Sequence, residues 1–125
     1  MARILVIDDE SAVRESLRHA LASIGHEVVL AADGVEGMAA LGKMAADLVI
    51  TDLYMPNQDG VETIVEMRKS YPSIPVIAIS GNAEAGNMLS VAKKLGVVGV
   101  LQKPFQVSEL RSSVEAALKP TGPKV

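Results

Sequence analysis

The sequence predicts a doubly wound α/β domain, a five-stranded parallel sheet with helices on both faces. Two observations carry that prediction. Five short runs, Arg3 to Ile7, His26 to Ala32, Asp47 to Asp52, Pro75 to Ser80 and Val97 to Leu101, are rich in consecutive apolar residues, as strands buried on both faces must be. Between them the apolar residues switch to helical spacing, and strands alternating with helices through right-handed crossovers build a parallel sheet. Ligands of such sheets bind at the carboxyl ends of the strands, near the point where the strand order reverses. The residues that follow each run are therefore where function is to be sought.

The first run, RILVI, is β-branched and Leu-rich and ends on Asp8, Asp9 and Glu10. From Ser11 to Ile24, Val13, Leu17, Ala20, Leu21 and Ile24 share one helical face, with Arg14, Glu15 and Arg18 off it, and Gly25 stops the helix. HEVVLAA is the second strand, and Asp33-Gly34 reads as a turn before a short helix through Met38, Leu41 and Met44. The third strand carries Leu48, Val49 and Ile50 and stops on Asp52. Pro56 to Gly60 is a turn, with Asp59 a helix cap and Gly60 free to take a positive φ. Helix three covers Val61 to Ser70, with Ile64, Val65 and Met67 or Arg68 marking its two sides. Pro72 and Pro75 precede VIAIS, the fourth strand, which ends on Ser80-Gly81. Helix four carries Met88, Val91, Ala92 and Leu95, closes at Gly96, and starts on the weak helix formers Gly86 and Asn87. The fifth strand runs into Gln102-Lys103-Pro104-Phe105, and a last helix bears Val107, Leu110, Val114 and Ala117. Residues 1–118 thus read as one domain, and 119–125 as a Pro/Gly-containing tail or the start of a linker.

Composition narrows the function classes. The 125 residues are long enough for a single core, which Val, Ile, Leu, Ala and Met must fill because Tyr54, Tyr71 and Phe105 are the only aromatics. A formal charge of −3 with scattered Lys and Arg leaves no electrostatic footprint for nucleic acid or an anionic membrane. The absence of Cys excludes disulfides and thiolate metal sites. With no visible signal peptide and no apolar stretch of membrane-spanning length, a cytoplasmic domain is expected.

At the carboxyl ends of the strands stand Asp8 and Asp9, then Asp52, Ser80 and Lys103. Taken one at a time, Asp8 and Asp9 also read as helix caps, Asp52 as a turn residue, Ser80 as a turn hydroxyl and Lys103 as a solvated lysine. Their concurrence on one rim favours a site. At an effective dielectric of about 20, like charges about 4 Å apart cost on the order of 4 kcal/mol. One acid must therefore hold a proton, or a cation must neutralise the group. Carboxylates without imidazole or thiolate suit a hard dication, and Mg2+ fits best. A lysine and a hydroxyl opposite would clamp an incoming phosphoryl group, so the chemistry suggested is phosphoryl transfer onto a carboxylate.

The segments ILVIDDE, TDLYMPNQDG, IAISG and QKPF, in this order and spacing, resemble the response-regulator receiver domain, the phosphoacceptor half of two-component signalling. The resemblance covers almost the whole chain. It implies a flavodoxin-like sheet of order 2-1-3-4-5, the order of the family's chemotaxis regulator. It implies Asp52 as phosphoacceptor, and Mg2+ bound by Asp9 directly, by Asp8 largely through water, by Asp52 and by the backbone carbonyl of Tyr54. Ser80 would turn toward the phosphoryl oxygens and Lys103 would pair with them, with a cis bond from Lys103 to Pro104. The donor would be a sensor histidine kinase or a histidine phosphotransfer protein. The output would be a downstream protein, an effector domain not present in this sequence, or a phosphorylation-dependent dimer, with no nucleic acid or membrane bound by this domain. The chain would catalyse only its own phosphorylation and dephosphorylation.

The chain departs from the family pattern at Val100, where Tyr or Phe often reports phosphorylation through its rotamer. A β-branched valine has no large swing to make, so a muted readout is expected. By the same resemblance, Tyr54 and Asn82 occupy positions that in this family tune loss of the phosphoryl group. Three other readings compete. A phosphatase of the haloacid-dehalogenase type would need a second Asp two residues past the nucleophile, where Tyr54 stands. A receiver used only for protein contacts would not need the intact acid pair, Asp52 and Lys103. A nucleotide-binding module lacks its glycine-rich or P-loop motif.

Overall fold

The computed structural model describes residues 2–53, 60–80 and 93–118. Within them a five-stranded, all-parallel sheet takes the order β2-β1-β3-β4-β5. Its strands are β1 (Arg3–Ile7), β2 (Glu27–Ala31), β3 (Leu48–Asp52), β4 (Val76–Ser80) and β5 (Gly99–Gln102). Helices α1 (Ser11–Ser23), α2 (Gly34–Lys43) and α3 (Gly60–Ser70) connect them, and a C-terminal helix spans Val107–Leu118. The doubly wound expectation holds, including the strand order.

Strands β1, β3 and β4 are buried on both faces because every second residue meets a different helical layer. Ile4, Val6, Leu48, Ile50, Ile77 and Ile79 pack on one side with Leu17 and Leu21 of α1 and Leu110 and Val114 of the C-terminal helix. Leu5, Ile7, Val49, Val76 and Ala78 pack on the other with Leu41 of α2 and Ile64 and Met67 of α3. Edge strand β2 is mostly half-buried.

The helix ends follow local chemistry. In α1, Gly25 takes a φ of 96° while its N–H bonds to Ala22 O and that of His26 bonds to Leu21 O, a Schellman stop that needs the left-handed residue. Asp33-Gly34 is not a free turn. Asp33 is the N-cap of α2, its Oδ1 accepting from Glu36 N–H at 2.8 Å while Glu36 Oε1 accepts from Ala32 N–H, and Gly34 is the first helical residue. Gly60 likewise begins α3 rather than preceding it. On α3, Met67 faces the core and Arg68 is half-buried, its guanidinium donating to the carbonyls of Pro72, Ile74, Leu95 and Gly96. Gly96 closes the preceding helical turn with a φ of 84° and an N–H bond to Lys93 O. Strand β5 starts at Gly99 rather than Val97, Val98 being turned to solvent. The turn expected at 56–59, most of the fourth helix, Tyr54, Asn82 and the tail from 119 lie outside the described residues.

Candidate phosphoacceptor site

Sheet register gathers the acids. Ile7 pairs with Thr51, so the next residues, Asp8 and Asp52, emerge side by side at the carboxyl edge of the two central strands. Pairing continues one step past the ladders, with Asp8 N–H on Ala31 O at 3.1 Å, Leu53 N–H on Ile79 O at 2.8 Å and Lys103 N–H on Ser80 O at 2.8 Å. The backbone at the rim is thus held by the same bonds that hold the sheet. Neighbouring strands then bring Ser80 and Lys103 to the same edge.

The carboxylates of Asp8, Asp9 and Asp52 each offer an oxygen within 4.8 Å of the others, Asp8 and Asp52 buried and Asp9 exposed. Neither acid of the pair caps α1. The N-cap is Glu10, which makes no side-chain cap bond, and Asp8 Oδ1 accepts from Glu10 N–H at 2.9 Å. Lys103 is no solvated lysine: 24% exposed, it places Nζ 2.9 Å from Asp52 Oδ2, 3.3 Å from Glu10 Oε1 and 3.4 Å from Asp8 Oδ2. Ser80 Oγ is buried with no hydrogen-bond partner among the described residues. The Lys103-Pro104 bond is cis, as expected.

These positions set the protonation equilibria. Burial pushes the Asp8 carboxyl up to about 6, with repulsion from Asp52 adding to it, against the Glu10 N–H and the Lys103 charge. Burial alone would lower the ammonium of Lys103, but its hydrogen bond and attraction to Asp52, with help from Asp8 and Glu10, turn the net shift upward. Lys103 is therefore a fixed positive charge that does not by itself neutralise the group. The donor set is all carboxylate oxygen, closely spaced and in excess negative charge, which fits a hard dication.

Two participants escaped the sequence reading. Glu10 reaches Lys103, and Arg14 donates from Nη1 to Asp8 O at 2.7 Å, tying the acid turn to α1. A cation in the first turn of a helix opposes the macrodipole, which was the available signal for Arg14.

The sequence model of the response regulator receiver domain matches residues 4–115. The chain belongs to the response regulator receiver domain family. It is a receiver domain of two-component signalling, and receiver domains are in general phosphoacceptors rather than enzymes. The receiver is 36% identical over 121 residues to response regulator MprA of Mycobacterium sp. strain KMS, covering 97% of this chain and 52% of the relative. It thus spans about half the length of the curated relatives it matches. Among solved structures, the receiver domain of NtrX from Brucella abortus aligns with a TM-score of 0.90 at 32% identity, covering 94% of this chain and 99% of the other. Chemotaxis protein CheY4 of Vibrio cholerae aligns with a TM-score of 0.87 at 31% identity, with the same coverage of both chains.

Proposed function

We propose that Asp52 of this receiver accepts a phosphoryl group from a phosphohistidine on a sensor histidine kinase or histidine phosphotransfer protein. The observation that carries this is the ammonium of Lys103, 2.9 Å from Asp52, at the same sheet edge as Ser80, whose buried hydroxyl has no hydrogen-bond partner among the described residues. An anion newly attached to Asp52 finds a permanent positive charge within reach. In the transfer, an oxygen of Asp52 forms a bond to phosphorus as the bond to the donor imidazole nitrogen breaks, the nitrogen keeping the electron pair. Asp8, Asp9 and Asp52, with the backbone carbonyl of Tyr54, would hold Mg2+, which when bound neutralises charge on the phosphoryl oxygens. Lys103 holds one oxygen of the acceptor and Ser80 turns to donate to a phosphoryl oxygen.

A cleft of about 550 Å3 lined by Ala12, Val13, Ser16, Leu17, Pro104 and Phe105 opens beside Lys103, and its apolar walls suit a protein donor. The added charge biases a two-state equilibrium of the surrounding loops, which alters contacts with a downstream protein, an effector domain or a second copy. Val100, half-buried in β5 opposite Ala78, conveys this less than an aromatic residue would. Tyr54 and Asn82 set how long the phosphoryl group stays. Residues 1–118 form the receiver and 119–125 a tail or linker. Among the described residues no helix is long and apolar enough to cross a membrane, in keeping with a cytoplasmic setting.

Acetyl phosphate with Mg2+ tests the assignment by intact mass. The parent gains one phosphoryl group and Asp52→Asn gains none. Labelling of Asp52→Asn to the parent's extent, or no labelling of the parent, refutes it.

A further inference from the structure

Lys103 Nζ lies within 3.4 Å of three carboxylates and donates hydrogen bonds to two of them, Asp52 and Glu10, while the reaction proposed above uses Asp8 and Asp52. The third, Glu10, is 62% exposed at the mouth of the site. It stands at the N-cap of α1 but gives that helix no side-chain bond, and reaches instead to the residue that follows β5. Asp8 and Asp52 are buried, so the ammonium is shared between two carboxylates beneath and one at the surface. We infer that Glu10 is a positioning residue for phosphoryl transfer. It holds Lys103 toward the mouth in the unphosphorylated protein and so opposes binding of the phosphoryl group. The inference rests on the reading of Asp52 as acceptor.

Two effects act in the same direction. The N–H that Lys103 spends on Glu10 is one that a phosphoryl oxygen on Asp52 would otherwise receive. Glu10 also carries a negative charge within 3.3 Å of that ammonium, next to where an anion must arrive, and like charges there repel. Exposure to water weakens both, which sets a modest size for the effect: removing the charge tightens binding of a phosphoryl mimic about three- to tenfold.

Beryllofluoride with Mg2+ serves as the mimic, titrated by NMR into the parent, Glu10→Gln, Lys103→Met and the double variant. The gain from Glu10→Gln is expected to be markedly smaller in the Lys103→Met background than in the parent background, because only the repulsion remains there, and a general change of surface charge would not produce that difference. In the metal-free protein the side-chain 15N resonance of Lys103 is expected to move on Glu10→Gln. Unchanged or weaker beryllofluoride binding by Glu10→Gln overturns the inference, as does an equal gain without Lys103 or an unmoved Lys103 resonance. Failure of the parent itself to bind beryllofluoride would instead strike the acceptor assignment, and the inference with it.

Discussion

Replacing Asp8 by Asn should stabilise the metal-free protein at alkaline pH and leave it unchanged in acid. The Asp8 carboxyl is raised from 3.8 to about 6, chiefly by burial. Its folded state therefore holds a proton that the unfolded chain has already released, and stability falls as pH rises from about 4 to about 6. A shift of roughly two units at about 1.4 kcal/mol each makes the ionised Asp8 destabilising by about 3 kcal/mol above that window. Asn is neutral at every pH and its side-chain oxygen keeps the bond from Glu10 N–H, so it resembles the protonated acid. In urea, with chelator present, the variant should unfold later than the parent by roughly 1 to 3 M at pH 8, by less at pH 6 and by little at about pH 4. Saturating Mg2+ should then raise the parent by about 2.7 kcal/mol at a hundredfold excess over its dissociation constant, and the variant by much less. A stabilisation independent of pH, or destabilisation at pH 8, would refute the reasoning, because either would mean that Asp8 is not a buried charge in conflict with its neighbours.

Ser80→Ala should cost the metal-free fold nothing, or stabilise it by about 1 kcal/mol, since the buried Oγ has no partner to lose, while slowing labelling by acetyl phosphate; urea midpoints and intact mass read the two effects. Gly37→Ala should destabilise by about 1–3 kcal/mol, despite the better helix propensity of Ala, because its Cβ would meet Ile7 Cδ1 and lie 2.9 Å from Ile7 Cγ1; urea unfolding decides the sign. Arg68→Ala should remove the bonds that tie α3 to the carbonyls of Leu95 and Gly96, so amide hydrogen exchange should quicken in residues 93–98 more than in β1, and uniform protection would count against it. Comparing free and beryllofluoride-loaded protein, shifts centred on the side-chain environment of Val100 should be small, and large ones would refute the muted readout.

The fold was legible because parallel strands buried on both faces leave uninterrupted apolar runs, and β1 and β4 came out within a residue of the runs that announced them. The edges were harder. Val97 and Val98 have the composition of a strand, yet the left-handed turn at Gly96 turns Val98 outward, and no propensity reports where pairing begins. Asp33-Gly34 looked like a turn because the same residue type caps helices and makes turns, and Glu36 three positions on was the distinguishing mark. Asp8, Asp52, Ser80 and Lys103 could be found because each ends or directly follows a strand. The pairing of Glu10 with Lys103 could not, since it joins residues 93 positions apart through a long, exposed side chain.

That difference has a physical root in what the sheet does and does not hold rigid. Asp8 and Asp52 are neighbours because Ile7 pairs with Thr51, and a one-residue slip would turn the apolar side chains of β1 and β3 to the wrong faces. With Leu5, Val6, Ile7, Val49 and Ile50 all buried between two helical layers, such a slip would undo the close packing of both layers at once. The strands therefore cannot relieve the conflict by moving. Only mobile charges can do so: a proton on Asp8, the ammonium of Lys103 on its flexible stem, or a dication. On the proposed function, a phosphoryl group on Asp52 would enter that competition directly. It would add negative charge where the paired backbone cannot yield, so the adjustment would fall on the side chains of Lys103 and Ser80.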